Sequence, residues 1–260
     1  MMVALSSVAR ARMTRLIIVV IAAAMSTGAT PARTAELAVL CTQALRTSVQ
    51  ELAPRFEQAT GHKLVVTVAP TGQLLQRVRQ GEQADVVIAS ASGLRELGRD
   101  GLVSAPSIAE VARAQVGIAI RAGAPRPDIS SSEGVKHALL EARAVAYSQG
   151  GLSGNSFEGV LDKLGIKDAV KAKARLGSPA AGFVVRGEAD IAVQQIPELI
   201  AVQGAELVGP LPAELDQVTP FAAAILTRAT QPELAAAWLK FLAGPEAAAV
   251  IKSKGLTPAS

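Results

Sequence analysis

The chain has 260 residues, half of them apolar and only 3% aromatic, with 26 basic and 22 acidic residues. That length allows one large domain or two small domains, each able to bury a hydrophobic core. The scarcity of aromatic rings argues against a stacking platform for nucleic-acid bases. Four of the basic residues lie in residues 1–35, which contain no acid, so the remaining chain is balanced at 22 basic and 22 acidic residues. A basic nucleic-acid-binding surface is therefore not expected.

The N-terminal segment has the pattern of a secretory signal. Three arginines precede the apolar run LIIVVIAAA at 16–24, which is followed by small residues. This order predicts a signal peptide over residues 1–32 with cleavage near 29–35, after Ala29 or Ala32. The apolar run is too short to span a bilayer, so we expect no stable membrane insertion after cleavage. The processed protein is expected in the periplasm.

Strand-length apolar segments alternate with helical segments along the rest of the chain. Leu45, Val49, Leu52 and Phe56 repeat at helical spacing, and Pro54 is expected to kink that helix. A second helix is predicted to start with a capping box between Ser130 and Glu133. Strands are predicted at 36–41, 62–69, 84–90, 114–120, 144–148, 190–194, 205–212 and 221–228. Helices are predicted after most of these strands, with two more at 232–242 and 246–254 that close the chain.

This alternation predicts an α/β fold with two lobes, each a mostly parallel sheet flanked by helices. The first lobe is expected to comprise residues 36–113 and 218–260, and the second lobe residues 114–217. The ligand cleft is expected between the lobes, and the two crossings, near 115–121 and 209–218, are expected to act as a hinge. A monomer is expected.

Several kinds of chemistry have little support in the sequence. Cys41 is the single cysteine, so no intrachain disulfide exists, and it is predicted to be a small buried residue that ends a strand. The two histidines, His62 and His137, lie far apart in the sequence, and we expect neither a metal site nor a cofactor. The loop at 150–154 is rich in glycine but lacks the lysine and the spacing of a phosphate-binding loop.

Neutral hydrogen-bond donors follow five of the predicted strands. In open parallel sheets, ligands bind beyond the carboxyl ends of strands, where hydroxyls, amides and helix N-termini can hold a small anion. Serine and threonine at such places most often only cap helices, but five such junctions together favour a site. The candidate ligand-binding residues are Thr42, Gln43, Thr71, Gly72, Ser90, Gly151, Ser153, Gly154, Gln194 and the adjacent Gln195. Arg121 is placed at the mouth of the cleft, where it could pair with a carboxylate or remain in solvent.

Five stretches carry a family resemblance: LAPRFEQATG, ADVVIAS, AYSQGGLSG, RGEADIAVQQ and FLAGPEAAAVIKSKG. In this order they resemble the periplasmic type II solute-binding proteins, in particular the molybdate-binding branch. The resemblance implies a two-lobe fold, a small anionic ligand without a cofactor, and an ABC permease as partner. It also implies that Thr42, Thr71, Ser153 and the neighbourhood of Gln194 hold an oxyanion.

The chain also departs from the molybdate-binding pattern. Cys41-Thr42-Gln43 stands where that branch has a serine after small residues, and the tyrosine that follows the strand near Gln194 is absent. The stretches at 208–215 and 121–130 resemble a side branch that includes a periplasmic aconitate isomerase. Two functions follow from the resemblance. One is a transport receptor for a molybdate-like oxyanion or an organic carboxylate; the other is an isomerase, for which the sequence identifies no base to move the allylic proton.

Overall fold

Two β-sheets organise the chain in the computed structural model, which describes residues 34–215 and 218–259. The predicted signal peptide lies outside the described residues. The strands are β1 (Glu36–Thr42), β2 (Lys63–Ala69), β3 (Val86–Ser90), β4 (Ala109–Ala114), β5 (Val116–Arg121), β6 (Val145–Tyr147), β7 (Ala174–Leu176), β8 (Ile191–Gln195), β9 (Ala205–Pro210), β10 (Thr219–Ile225) and β11 (Thr257–Pro258). The first sheet has the order β11-β4-β10-β3-β1-β2 and the second has the order β7-β6-β8-β5-β9.

Helices cover both sheets. They are α1 (Arg46–Thr60), α2 (Thr71–Arg79), α3 (Ala91–Arg99), α4 (Ser132–Glu141), α5 (Gly151–Leu164), α6 (Lys167–Lys171), α7 (Ala181–Val185), α8 (Ile196–Ile200), α9 (Pro232–Leu242) and α10 (Pro245–Ser253). Short 3-10 turns occupy Gln43–Leu45 and Ala105–Ser107. The predicted α/β class with two sheets flanked by helices is confirmed.

Both sheets are mixed, whereas the alternation predicted mostly parallel sheets. β1 runs parallel to β2 and β3, and β6 runs parallel to β7 and β8. In contrast, β10 is antiparallel to β3 and β4, and β5 is antiparallel to β8 and β9. The chain passes from the first sheet to the second between β4 and β5 and returns between β9 and β10. β5 and β10 are therefore the first strands after the two passages, and each runs antiparallel to both of its neighbours in its sheet.

Two local predictions need correction. The segment predicted as one strand over 114–120 divides at Gln115 into β4 and β5, which belong to different sheets. The N-cap of α4 is Ser131, whose Oγ accepts from the Gly134 N–H at 3.2 Å. The Ser130 N–H instead donates to Asp128 at 2.9 Å, which forms a turn before the helix.

The helical stripe of α1 packs into the core of the first sheet as predicted. Leu45, Val49, Leu52 and Phe56 are buried, and the Phe56 ring meets the Trp238 ring of α9 edge-on at 5.0 Å. Burying each such side chain contributes about 1.5–3 kcal/mol. Pro54 lies inside α1, which continues from Arg46 to Thr60. Cys41 is fully buried in β1, as predicted.

In the second sheet the rings of Tyr147, at the end of β6, and Phe157, in α5, meet edge-on at 5.1 Å. Both rings are buried, so α5 is held against the strand that leads into it. This contact places the start of α5 beside the carboxyl ends of β6 and β8.

No single helix among the described residues is long and apolar enough to cross a bilayer. α9 and α10 meet that criterion only as a pair, and their axes differ by 63°. Trp238, Leu242 and Val250 in this pair are buried against the first sheet, which explains its apolar composition.

Candidate functional site

A cavity of about 340 Å³ lies between the carboxyl ends of strands from both sheets. We refer to it as the cleft. From the first sheet it is lined by residues that follow β1 and β2: Thr42, Gln43, Pro70, Thr71, Gly72 and Gln73. From the second sheet its polar lining comes from Ser148, Gln149, Ser153, Ser178, Gln194, Gln195 and Glu198, with the glycines at the start of α5. β1 and β2 are parallel, so their carboxyl ends meet at one edge, and the same holds for β6 and β8.

The wall from the first sheet presents a pair of hydroxyl groups. Thr42 ends β1, Thr71 begins α2, and their Oγ1 atoms are 2.8 Å apart. Both side chains are buried, at 3% and 5% exposure. Only one proton lies between the two oxygens, so the second hydroxyl proton is available to a ligand in the cleft.

The wall from the second sheet is the junction between β6 and α5. The hydroxyl oxygens of Ser148 and Ser153 are 3.1 Å apart. Gly151 begins α5 with φ of +73°, a backbone conformation that glycine adopts without the strain of a side chain. A Cβ at Gly154 would overlap the carbonyl oxygen of Ser148, so this position needs glycine for a close approach. The N-terminal end of α5 lines the cleft, and the first N–H groups of a helix have no partner within the helix, so they are suited to an anion.

Gln194 lines the same side of the cleft and is the centre of a hydrogen-bond network there. Its side-chain oxygen accepts from the Ala180 N–H at 2.9 Å. Its Nε2 donates to Ser178 Oγ at 3.2 Å and to Glu198 Oε1 at 2.8 Å. All of these contacts are intramolecular, so Gln194 orients other groups of the cleft wall.

Gln195 is buried at 3% exposure, and its side-chain nitrogen has no hydrogen-bond partner among the described residues. A buried donor without an acceptor costs about 1–3 kcal/mol. Gln195 also lines the cleft, so a ligand acceptor atom that reaches this nitrogen would satisfy it. The neighbouring residues Gln194 and Gln195 therefore differ in role, since the first is satisfied within the protein and the second is not.

Glu198 lies in the first turn of α8 and is the single ionisable side chain among the described residues that line the cleft. Burial raises the pKa of its carboxyl group from 4.5 to about 7. The hydrogen bond from Gln194 and the positive charge of Arg46 act in the opposite direction and lower this pKa, but they do not outweigh the loss of water. The cleft therefore contains one group that exchanges a proton near neutral pH.

Among the predicted site residues, the structure places Thr42, Gln43, Thr71, Gly72, Gly151, Ser153, Gln194 and Gln195 in the cleft lining. Gly154 lies directly behind it, against Ser148. Ser90 is not among the lining residues; its Oγ accepts from the Gly93 N–H at 3.3 Å and caps α3. This is the ordinary capping role of serine.

Arg121 is a correction to the predicted site. It ends β5, which is antiparallel to β8, so it lies at the edge of the sheet opposite to Gln195. There it lines a different cavity together with His137 and Arg143. The sequence placed Arg121 at the cleft mouth because it ends a strand expected to form part of the hinge, but the antiparallel direction of β5 moves it to the far edge.

The sequence prediction missed several lining residues, including the polar side chains of Gln73, Ser148, Gln149, Ser178 and Glu198. Ser148 lies two residues before the glycine-rich loop at 150–154 and could have been included on that ground. Glu198 follows a strand in QQIPELI. This signal is weak, because acidic residues are common in the first turn of a helix, where they interact favourably with the helix dipole whether or not a ligand binds nearby. Among the described residues, no group of three histidine, cysteine, aspartate or glutamate side chains could hold a metal ion.

A family model for bacterial extracellular solute-binding proteins matches residues 37–257. The chain belongs to this family. It is 36% identical over 230 residues to an aconitate isomerase from a Pseudomonas species, which covers 85% of this chain and 87% of that protein. It is also 27% identical over 234 residues to the molybdate-binding protein ModA of Azotobacter vinelandii, covering 86% of this chain and 90% of that protein.

The fold of this solute-binding protein is shared with solved structures. The periplasmic molybdate-binding protein of Azotobacter vinelandii superposes with a TM-score of 0.70 at 20% identity. The match covers 86% of this chain and 100% of the other. The type II periplasmic-binding-protein fold that the sequence motifs implied is therefore confirmed.

Proposed function

We propose that this solute-binding protein works in the periplasm and binds a small anion in the cleft. The observation that carries the proposal is the buried side-chain nitrogen of Gln195, which lines the cleft and has no acceptor among the described residues. The hydroxyls of Thr42, Thr71 and Ser153 add further donors around the same space. A ligand with several acceptor oxygens would satisfy these groups together.

We further propose that the anion is a small organic carboxylate. The cleft volume of about 340 Å³ falls within the range of about 300–1,000 Å³ that small organic ligands occupy. A tetrahedral oxyanion would fill less of this space and would meet the Glu198 carboxyl group without any chemical use for it. The more similar curated relative, at 36% identity, is named for its action on a tricarboxylate, aconitate.

Binding is proposed to close two lobes, residues 36–113 with 218–260 and residues 114–217. The two passages between the sheets would supply the hinge, and an ABC permease would be the partner in transport. Small-angle scattering with and without saturating ligand tests the closure, because closure reduces the radius of gyration. Identical scattering profiles would contradict it.

Calorimetric titration tests the ligand class. The signal-free protein is titrated with molybdate, tungstate, sulfate, citrate, tricarballylate and both aconitate isomers. We expect the tricarboxylates to bind and the tetrahedral oxyanions to bind more weakly. Tight binding of molybdate alone would overturn the carboxylate assignment, and no binding by any of these anions would overturn the proposed function.

A second candidate function is isomerisation of aconitate. It is favoured by Glu198, because an ionised carboxylate opposes an anionic ligand, so a receptor gains nothing from it, whereas an isomerase needs a group that carries a proton. Conversion of cis- to trans-aconitate, followed by proton NMR without added cofactor, tests this function. Tight binding without conversion would leave the transport receptor.

A further inference from the structure

We propose that Glu198 is the catalytic residue that removes and returns the allylic proton of aconitate, and that Gln194 is its positioning residue. This inference rests on the second proposed function, isomerisation. It assigns the base that the sequence alone does not reveal.

The position of Glu198 supports this role. It is the single ionisable side chain that lines the cleft in the described parts of the chain, so no other described lining residue can accept a proton from carbon. The remaining polar groups on the walls, including Thr42, Thr71 and Ser153, are neutral donors suited to holding substrate carboxylates. The donors and the base therefore surround the same volume.

Gln194 fixes the orientation of this carboxyl group. Its Nε2 donates to Glu198 Oε1 at 2.8 Å, while its own oxygen is held by the Ala180 N–H at 2.9 Å. The Gln194 amide group cannot rotate by 180° without breaking both bonds. Glu198 Oε1 therefore stays hydrogen-bonded to Gln194, and the second carboxylate oxygen is not part of this hydrogen bond. Burial raises the pKa of this group to about 7, so both the base form and the acid form are populated at neutral pH.

The proposed step needs no oxidant or metal. The Glu198 carboxylate takes a proton from the methylene carbon of aconitate, and the C–H electron pair becomes the new C=C bond. The original π pair moves to the former vinyl carbon, which takes the proton back from the Glu198 carboxylic acid. The geometry of the new double bond follows the rotamer about the C–CH₂ single bond when the proton is removed, so the shift from the appropriate rotamer exchanges the cis and trans forms. One proton leaves and one returns, so charge and oxidation state are unchanged.

The test compares Glu198→Gln with the wild type. Glutamine keeps the shape and can still accept a hydrogen bond from Gln194, but it cannot carry the proton. We expect conversion of cis- to trans-aconitate to fall at least about 100-fold, the lower range for loss of a general base. Tricarballylate has no double bond to move, so it reports binding alone. If Glu198 acts only in the chemical step, the dissociation constant for tricarballylate should rise by no more than about threefold in the variant. Glu233→Gln, at an exposed position in the first turn of α9, is the matched control and should keep full activity.

Two further measurements separate catalysis from structure. In D₂O the wild type should place deuterium on the former vinyl carbon in the fraction of turnovers in which the Glu198 carboxylic acid exchanges its proton with solvent before returning it, and Glu198→Gln should abolish this incorporation. Activity of Glu198→Ala should recover on addition of formate, which replaces the missing carboxylate. The hydrogen bond from Gln194 lowers the pKa of Glu198, so Gln194→Leu should shift the rising limb of the pH–rate profile to higher pH. If Gln194 had only a structural role, the substitution would lower the rate without moving this limb.

The outcomes are distinct. A wild type that converts aconitate together with an inert, tricarballylate-binding Glu198→Gln supports the assignment. A wild type and a Glu198→Gln variant that both convert aconitate overturn the role of Glu198 and leave isomerisation standing. A wild type that binds tricarballylate but converts nothing overturns isomerisation and this assignment together, while the anion-binding function remains.

Discussion

Thr42 and Thr71 bring their hydroxyl oxygens within 2.8 Å of each other at the edge of the cleft. They lie 29 positions apart in the chain, at the end of β1 and the beginning of α2. The parallel pairing of β1 with β2, which aligns Thr42 with Ala69, brings them together. The register of these two strands therefore places two hydroxyl donors side by side.

Replacement of Thr42 by valine removes one hydroxyl of this pair at nearly constant volume. We expect the affinity for a carboxylate ligand to fall by about 1.5–3 kcal/mol, the contribution of one hydrogen bond to a charged group. Titration calorimetry measures the change. Thr257→Val, at an exposed position in β11, is the control and should leave affinity unchanged. Equal affinity in Thr42→Val and the wild type would remove this hydroxyl from the site.

Gly151 and Gly159 provide a matched pair within α5. Gly151 has φ of +73°, whereas Gly159 is not among the glycines with positive φ and has open space around its Cβ position. Gly151→Ala should destabilise the fold by about 1–2 kcal/mol through backbone strain and should weaken ligand binding. Gly159→Ala should stabilise it by about 0.5–1 kcal/mol, because alanine favours a helix interior. Urea unfolding of both variants measures this, and similar effects at the two positions would contradict the role of the backbone conformation.

Gln194 and Gln195 should respond in opposite ways to replacement by methionine. Gln195→Met removes a buried nitrogen without a partner, so the free energy of unfolding without ligand should rise by about 1–3 kcal/mol while ligand affinity falls. Gln194→Met breaks the bonds to Ala180, Ser178 and Glu198, so it should lower the free energy of unfolding by a similar or larger amount. Thermal unfolding with and without ligand tests both. A less stable Gln195→Met would show that this nitrogen is satisfied in solution.

Glu198 should make stability depend on pH. Its pKa in the folded state, about 7, is above its ordinary value of 4.5, so the folded state binds the proton more tightly than the unfolded state. The stabilisation is fully present below about pH 4.5 and is lost as pH rises through 7. Glu198→Gln cannot ionise, so its stability relative to the wild type should increase over this window, by at most about 1.4 kcal/mol per pH unit. Urea unfolding at several pH values tests this, and a difference that is constant with pH would refute it.

Two aspartates show how much of the scaffold can be recognised from short motifs. Asp85 in QADVV and Asp190 in EADIA each precede a central strand, β3 or β8. Asp85 Oδ2 accepts from the Ala38 N–H at 2.9 Å, and Asp190 Oδ2 accepts from the Arg143 N–H at 2.7 Å. Both aspartates lie in stretches that carry the family resemblance. In both, a carboxylate oxygen just before the strand accepts a hydrogen bond from a backbone N–H of another segment.

The sequence by itself determined the strand–helix alternation, the buried stripe of α1 and the donors after β1, β2 and β6. The alternation and the stripe depend on local periodicity. The donors follow from the rule that ligands bind beyond the carboxyl ends of parallel strands, and this rule applies wherever neighbouring strands run in the same direction. The tertiary structure decided the positions of Arg121 and Glu198. β5 enters its sheet antiparallel to β8, which moves Arg121 to the far edge. Glu198 becomes a titratable group of the cleft only because burial removes its water, and burial is a property of the packed fold that residue order along α8 does not contain.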